Sequence, residues 1–211
     1  MKIDREKKFL AIQNKLEEES YLLAISDLKE AIAKVVWPIG NKSFVINPKR
    51  LGNGVKPIKR EFIKFLESKK WQTEITVKLI DQLGAGPLDA LLTTEAGNIA
   101  VEWETGNISS SHRALNKMAL AILQENIIGG FLIIPIRNLA KYLTDRIGNY
   151  EEIEPYFQLW QNIGIKKGVL GIIGVDYDDI NDEVPLIPKG KDGNSKTKKT
   201  RSKTKKRRRK N

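Results

Sequence analysis

The chain has 211 residues, a length that suits one domain with a substantial hydrophobic core. It contains no cysteine and a single histidine, His112, which excludes disulfides, thiolate metal sites, a cysteine nucleophile and a multi-histidine zinc site. The net charge is +11, yet residues 189–210 hold 13 Lys and Arg against one acid, and residues 1–188 carry 24 basic and 25 acidic side chains. The body of the protein is therefore nearly neutral, and the positive charge lies in its C-terminal part.

Residues 196–211 form a tail of Lys, Arg, Ser, Thr and Asn that has no apolar side chain to bury. We expect this tail to be disordered and residues 1–195 to form a single domain. A basic tail raises nonspecific affinity for nucleic acid by releasing counterions, and it fits a solubility or targeting segment equally well. Because the sequence has neither an apolar stretch of about 20 residues nor the apolar segment of a signal peptide, we expect a cytoplasmic protein without a membrane partner.

Hydrophobic spacing predicts the secondary structure in chain order. The predicted elements are a helical region at residues 4–35, a loop region at 38–57, a helix at 56–69, strands at 71–80, 87–93 and 99–104, a helix at 109–124, a strand at 129–135, helices at 138–147 and 151–161, and a strand at 168–175. A meander of three strands followed by alternating helices and strands predicts an α/β fold, with a central mixed β-sheet flanked by helices.

The predicted helix at residues 109–124 is apolar nearly all round from Met118 to Leu123. Such a pattern indicates burial on several sides, by the sheet and by a second subunit. This apolar segment and the helix predicted at residues 138–147 are the candidate surfaces for subunit contact.

Three carboxylates are placed where two predicted strands meet. Glu102 and Glu104 are two residues apart on one strand and point to the same face, opposite the apolar residues 99, 101 and 103. Asp89 lies on the preceding strand of the meander. Like charges in one place are costly unless a cation joins them, and oxygen ligands of this kind suit Mg²⁺. The same spacing also fits a strand whose acids simply face solvent, and the spacing alone leaves both interpretations open.

The segments Pro87-Leu88-Asp89 and Glu102-Trp103-Glu104 resemble the PD-(D/E)XK nuclease motif, with Glu104 where the general motif has Lys. Further segments resemble, in order and approximate spacing, the BamHI family of type II restriction endonucleases, an E-x-E variant of that superfamily. These segments are Thr105-Gly106-Asn107-Ile108-Ser109-Ser110, His112-Arg113, Asn116-Lys117, Tyr142-Leu143-Thr144-Asp145-Arg146, Asn149-Tyr150-Glu151-Glu152, Glu154-Pro155-Tyr156-Phe157 and Val184-Pro185-Leu186-Ile187-Pro188-Lys189-Gly190. The resemblance covers residues 57–195 and implies a restriction-endonuclease-like core.

The resemblance implies a metal-dependent catalytic site. Asp89 and Glu102 would be metal ligands together with the backbone carbonyl of Trp103, and Glu104 would orient or deprotonate the attacking water. A second Mg²⁺ would be held by Asp89 and Glu74, so that two metal ions flank the scissile phosphate, and Mn²⁺ would substitute for Mg²⁺.

The identity of the fourth acid has two candidates. Glu74 matches the family position, in Trp71-Gln72-Thr73-Glu74. Glu61 is its rival because it lies beside the apolar stripe of the helix predicted at residues 56–69, although a glutamate there is also typical of a solvated helix face.

The resemblance also implies DNA recognition. The positions that match base-reading residues of the family are Asn107, Ser109, Arg113, Asp145 and Arg146, and they imply the palindrome GGATCC or a very similar one. Arg suits the O6 and N7 of guanine, and the amide of Asn pairs a donor with an acceptor on a base edge. Helix capping by Asn107 or Ser109 and a surface ion pair of Asp145 with Arg146 are the ordinary alternatives.

A palindrome that is read by one small domain requires two-fold symmetry, so a homodimer on double-stranded DNA is expected. The predicted function is a type II restriction endonuclease that cuts after the first G, with a cognate DNA methyltransferase as its genetic partner. The competing hypotheses are a repair or junction nuclease that recognises DNA structure, and a sequence-specific DNA-binding protein without catalysis.

Overall fold

The computed structural model describes residues 1–75, 86–144 and 146–190. The strands of the described residues are β1 (Lys2–Ala11), β2 (Val45–Ile46), β3 (Gln72–Ile75), β4 (Leu88–Thr93), β5 (Asn98–Trp103), β6 (Gly129–Pro135), β7 (Gly168–Asp176) and β8 (Asp179–Ile180). The helices are α1 (Lys15–Ala33), α2 (Lys56–Ser68), α3 (Ile108–Leu123), α4 (Arg137–Ala140), α5 (Tyr150–Ile153) and α6 (Phe157–Gln161), with a 3-10 turn at Glu154–Tyr156 between the last two.

One six-stranded sheet, in the order β1-β7-β6-β5-β4-β3, organises the domain. β5, β6 and β7 run parallel, whereas β1 pairs with β7, and β4 with β3 and β5, in antiparallel fashion. Every residue of β6 and β7 is buried, because apolar side chains on both faces of these central strands are covered by helices. The predicted α/β class with a mixed sheet is confirmed.

Helices cover both faces of the sheet. α1 and α2 pack on one face, while α3, α5 and α6 pack on the other. Along β5, Ile99, Val101 and Trp103 point toward the first layer and Ala100 toward the second. Because side chains alternate along a strand, Glu102 shares the face of Ala100 and points toward α3.

The helix predicted from residue 4 is wrong at its beginning. Lys2–Ala11 is a strand that pairs with β7 from Lys2 opposite Asp176 to Ala11 opposite Gly168. The helix begins only at Lys15, after Asn14 caps it by accepting a hydrogen bond from the backbone N–H of Glu17 at 2.9 Å. Tertiary pairing with a buried strand thus overrides the local helical spacing.

The helix predicted at residues 138–147 is also shorter than expected. It ends at Ala140, and Tyr142 and Leu143 lie in a turn held by Asn53. The strand predicted at residues 71–80 is confirmed for Gln72–Ile75, and its remainder lies outside the described residues. The loop region predicted at residues 38–57 contains the short strand β2, which pairs with β8 in parallel.

In the part of the chain that the structure describes, none of the helices is both long and apolar enough to cross a membrane.

Candidate active site

The hairpin of β4 and β5 brings Asp89 and Glu102 together. Ala90 pairs with Val101, so the next position in the register sets Asp89 opposite Glu102. Asp89 Oδ2 accepts a hydrogen bond from the backbone N–H of Trp103 at 2.8 Å. This bond fixes the Asp89 carboxylate beside β5, as the sequence predicted from the meander.

Glu102 is a buried carboxylate with 8% of its surface exposed. Burial raises its pKa to about 7, and the neighbouring charge of Asp89 acts in the same direction. The ammonium groups of Lys117 and Lys59 oppose this rise but do not cancel it. Glu102 therefore does not lie on a solvent-exposed strand face, which was the alternative interpretation of its spacing.

Two lysines supply that positive charge. Lys117 on α3 is 7% exposed, its Nζ contacts Glu102 Oε1, and the same Nζ donates a hydrogen bond to the carbonyl of Pro87 at 3.1 Å. Lys59 on α2 lies 2.6 Å from Asp89 Oδ1. The two acids on adjacent strands are thus each joined to an ammonium group from a different helix layer.

Lys117 is the site residue that the sequence reasoning missed. It falls on the buried face of α3, between Ala114 and Ala121, where the other buried side chains are apolar or small. A lysine on a buried helical face needs a carboxylate partner, because an unpaired charge there is costly. That pattern was the available signal for a contact with Glu102.

Glu104 follows β5 without joining this cluster, so the expectation of three carboxylates at one point is wrong for the described residues. Its backbone N–H donates to the carbonyl of Ile133 at 2.9 Å, and its Oε1 accepts a hydrogen bond from the backbone N–H of Gly106 at 2.7 Å. A Cβ on residue 106 would stand 2.8 Å from this carboxylate oxygen. The turn that leads into α3 thus holds the Glu104 side chain. The candidate DNA-reading residues begin in the same turn, at Asn107.

The structure separates the two candidates for the fourth acid. Glu74 is exposed and stands opposite Asp89 in the register of β3 and β4, with a backbone φ of 52°. Glu61 instead accepts from Lys64 at 3.2 Å and from Arg60 at 3.4 Å on the outer part of α2. The position of Glu74 favours it over Glu61.

The acids fit a hard cation by their chemistry but are not gathered around one point. Within the described ranges, no three His, Asp or Glu side chains are close enough to hold a metal ion together. Glu102 Oε1 is buried and accepts no hydrogen bond of good geometry, while its nearest group is the ammonium of Lys117. The ammonium groups of Lys59 and Lys117 thus contact the carboxylate oxygens that would bind Mg²⁺.

The DNA-reading candidates lie at the start of α3, directly after the acids. Asn107, Ser109 and Arg113 are exposed, and Asn107 Oδ1 accepts from the backbone N–H of Ser110 at 3.1 Å. Asn107 is therefore a helix cap, as the alternative interpretation held, and its amide nitrogen remains exposed. Arg146 is exposed with a φ of 67°, and Asp145 lies outside the described residues.

A close backbone approach joins Arg146 to this helix start. The N–H of Gly148 donates to the carbonyl of Gly106 at 2.9 Å. A Cβ at residue 148 would stand 2.9 Å from Ile108 Cα, so only glycine allows the approach. The two predicted recognition segments are thereby set side by side.

His112 packs against aromatic rings. Its ring lies 4.6 Å from that of Tyr156 and 5.7 Å from that of Trp160, and burial lowers its pKa. These contacts give it a packing role.

The fold is the restriction-endonuclease-like α/β fold. The structure is similar to that of the restriction endonuclease BglII in a complex with a DNA 16-mer, with a TM-score of 0.59 and 14% identity, over 84% of this chain and 79% of that chain. It is similar to free BglII with a TM-score of 0.51 and 14% identity, over 84% and 81% of the two chains.

Sequence similarity identifies the family within this class. The sequence model described as "Restriction endonuclease BamHI" matches residues 1–194. The type II restriction enzyme OkrAI of Oceanobacter kriegii is 48% identical over 171 residues, 81% of this chain and 88% of that protein. The type II restriction enzyme BamHI of Bacillus amyloliquefaciens is 37% identical over 202 residues, 92% of this chain and 91% of that protein. The chain belongs to the BamHI family of type II restriction endonucleases, which are site-specific deoxyribonucleases.

Proposed function

We propose that this restriction endonuclease, as a homodimer, cleaves both strands of the palindrome GGATCC after the first G, with two Mg²⁺ ions at each active site. The proposed recognition sequence is supported most directly by the exposed side chains at the start of α3. These are Asn107, Ser109 and Arg113, which follow Glu102 closely in the chain. Restriction endonucleases of this kind are typically metal-dependent.

Recognition follows from where these side chains stand. Arg113 offers a fork of N–H donors to a guanine edge, and the amide nitrogen of Asn107 can donate while its oxygen caps the helix. Ser109 and Arg146 add donors beside them, and we keep Asp145 as the fifth member of the set. The identity of BamHI and OkrAI as type II restriction enzymes supports a short palindromic site.

The acidic and basic residues of the site have different roles in the proposed reaction. Glu74, Asp89, Glu102 and the carbonyl of Trp103 would hold the Mg²⁺ ions, for which Mn²⁺ would substitute. When bound, these ions polarise the scissile phosphate and stabilise the leaving oxygen. Glu104 takes the proton of the attacking water: its carboxylate lies two residues after Glu102, and the N–H of Gly106 fixes its position. Lys59 and Lys117 neutralise Asp89 and Glu102 beforehand and keep the acids close together.

Three exposed apolar side chains support the homodimer. Leu123, Tyr156 and Leu159 are 45%, 49% and 57% exposed, and the contact of Tyr156 with His112 places the 3-10 turn next to α3. Met118, by contrast, is fully buried inside the subunit, so the subunit contact expected for it does not hold. A two-fold contact through Leu123 and Leu159 would present two copies of α3 to the two half-sites.

The test is plasmid cleavage with Mg²⁺. We expect one linear product from a plasmid with a single GGATCC site and no cleavage of a matched plasmid in which one base of the site is changed. End sequencing should show a four-base 5′ overhang if the cut follows the first G. Cutting of both plasmids would contradict the sequence choice and favour a structure-directed nuclease, and binding without cutting would favour a DNA-binding protein.

Sedimentation tests the dimer independently of cleavage. The wild type should sediment as a dimer, and the double variant Leu123→Asp with Leu159→Asp as a folded monomer. An unchanged dimer in that variant would move the interface elsewhere. A cognate DNA methyltransferase is proposed as a genetic neighbour rather than a stable partner.

A further inference from the structure

The active site lies where the central parallel strands have their carboxyl ends, and this row of strand ends is called an edge of the sheet below. The parallel strands β5, β6 and β7 end at the same edge, where Glu104 follows β5. β6 ends at Pro135, and the chain passes through α4 to Lys141 at this edge. Groups that follow β6 therefore lie on the side of the molecule that faces the proposed DNA.

Three separate segments bring basic side chains together at this edge. The N–H of Leu51 donates to the carbonyl of Lys141 at 3.1 Å, and Lys189 Nζ donates to the carbonyl of Leu51 at 2.7 Å. Lys49 and Arg50 immediately precede Leu51. We call Lys49, Arg50, Lys141 and Lys189 the basic edge, and all four side chains are exposed.

The positive charge of the basic edge is not neutralised by carboxylates of the described residues. Among residues 1–75, 86–144 and 146–190, none of these four side chains forms an ion pair with a carboxylate. Elsewhere the exposed lysines and arginines are often paired, as Lys64 is with Glu61. Four unneutralised cations on one surface attract a polyanion.

The basic edge is also rigidly supported. Asn53 is fully buried, and its Nδ2 donates to the carbonyls of Asn47 at 2.8 Å and Tyr142 at 3.0 Å, while its Oδ1 accepts from the N–H of Ile187 at 3.1 Å. One amide thus joins the three segments that carry the basic side chains. α2 follows at once and takes Lys59 to Asp89, so the basic edge is connected to the catalytic acids by a short, fixed path.

Acidic side chains bound this surface on one side. Asp179, Asp182 and Glu183 are exposed, and Asn47 Nδ2 donates to the carbonyl of Asp182 at 2.8 Å. A phosphate chain is repelled there. The favourable path for a polyanion therefore runs along the basic edge toward Lys141 and the segment of Arg146.

We infer that Lys49, Arg50, Lys141 and Lys189 bind the phosphates of the DNA backbone outside the recognition sequence. This inference rests on the proposed DNA substrate and extends the contacted length beyond the bases that α3 reads. Contacts of this kind position the protein and carry no sequence information. They make binding depend on the length of the flanking duplex and on salt concentration.

The test is the salt dependence of DNA binding by the variant Lys49→Ala with Arg50→Ala in the full chain, without metal. Binding is to be measured on duplexes of about 30 and about 12 base pairs, both with a central GGATCC. For the longer duplex, the slope of log K against log salt should become less steep by about 3.6, because the homodimer loses two contacts in each subunit and each lost phosphate contact accounts for about 0.9. The variant should also lose most of the advantage of the longer duplex over the shorter one.

The matched control is Lys15→Ala with Lys166→Ala. Both side chains are exposed, and Lys166 lies just before β7, at the opposite edge of the sheet from Glu104. This variant removes the same charge and should keep the slope of the wild type. Equal slopes in the basic-edge variant and the wild type, or an equal loss in the control, would overturn the inference.

Failure of the inference can be told apart from failure of the proposed function. A phosphate contact is independent of the bases, so the change in slope should also appear on a long duplex without GGATCC. If the wild type shows no preference for GGATCC, the proposed sequence is wrong, and the slopes on that duplex still decide the basic edge. Thermal unfolding checks folding, and Lys49→Gln with Arg50→Gln replaces the alanine variant if that one unfolds.

Discussion

At the scale of single residues, Glu102 sets a pH dependence. Its pKa is raised to about 7 in the folded protein, first by burial and then by Asp89, from the ordinary value of 4.5. Between those pH values the folded state binds more protons than the unfolded state, so stability falls as the pH rises. We predict that the melting temperature of the metal-free protein decreases from pH 5 to pH 8. Thermal unfolding in EDTA measures it, and Glu102→Gln should remove most of the slope.

The protonation of Glu102 also makes Mg²⁺ binding depend on pH. A carboxylate must be ionised to hold a metal ion, so Mg²⁺ affinity should rise across the window in which the wild type loses stability. In Glu102→Gln both trends should disappear together. A wild-type melting temperature that is constant from pH 5 to pH 8 would contradict the buried, protonated state of Glu102.

Lys117 is predicted to lower the pKa of Glu102, although not to its ordinary value. Lys117→Met removes the ammonium from a buried pair, and the pKa of Glu102 should rise further because burial is then less opposed. Each added pKa unit lowers the ionised fraction about tenfold below that pKa. Because pH 7 lies near the wild-type pKa, one added unit lowers the ionised fraction there about fivefold, so cleavage at pH 7 should fall by about fivefold or more and recover toward pH 9.

The pH–rate profile separates this positioning role from a loss of packing. A merely structural defect would lower cleavage equally at every pH, without recovery toward pH 9. Lys117→Arg retains the charge and should lie between the wild type and Lys117→Met.

Glu104 tests the assignment of the general base. Glu104→Lys replaces the carboxylate with a group that cannot accept the water's proton, and we predict loss of cleavage with most of the DNA affinity retained. Cleavage and gel retardation on the same GGATCC duplex measure the two effects. Full activity of this variant would reject the proposed role of the E-x-E motif.

The acid pair was predictable from residue spacing because strand alternation and a tight meander leave few arrangements. The i, i+2 spacing placed Glu102 on the Ala100 face, and the antiparallel register set Asp89 opposite it. The burial of Lys117 could be read from the apolar face of α3, but its partner Glu102 could not, because the partner depends on how α3 crosses the sheet. The pairing of the two acids with Lys59 and Lys117 is a tertiary property for the same reason.

At the scale of secondary-structure elements, the joint between Gly148 and α3 carries a prediction. Gly148→Ala would drive a Cβ into the backbone of Ile108 and separate the segment of Arg146 from the start of α3. We expect specific DNA affinity to fall by about tenfold or more, since contacts from both segments must be made together. Competition binding against a one-base-changed duplex measures the loss of discrimination.

A second glycine supplies the control for that prediction. Gly164 lies at the far edge of the sheet, before β7, with a φ of 77° and open space around a Cβ. Gly164→Ala should cost about 1 kcal/mol of stability through backbone strain and leave DNA binding unchanged. Equal losses of discrimination in both variants would show that Gly148 acts through stability alone.

The elements that sequence spacing predicted well are those that bury one clear face. The stripes of α2 and α3 and the apolar runs of β6 and β7 were placed to within a residue or two. The strand β1 was mistaken for helix because an edge strand buries little and has no clear alternation. The helix predicted at residues 138–147 ends early because Asn53 binds the carbonyl of Tyr142, and this contact spans 89 residues.

At the scale of the whole molecule, two surfaces must cooperate. The proposed two-fold contact through Leu123 and Leu159 places two recognition helices on one palindrome, and the basic edge holds the flanking duplex. Because the residues 1–188 carry almost no net charge, the affinity of the folded body depends on where its cations stand and not on their number.

The C-terminal tail, which lies outside the described residues, supplies bulk charge of a different kind. Residues 196–211 hold 11 of the 37 Lys and Arg residues and no acid. Its deletion should weaken binding to any duplex at low salt and make the salt dependence less steep, because counterion release scales with the phosphates neutralised. The preference for GGATCC over a one-base variant should be unchanged, since that preference comes from α3. Binding measured against salt concentration tests this prediction, and a changed cleavage site in the truncated enzyme would give the tail a role in recognition.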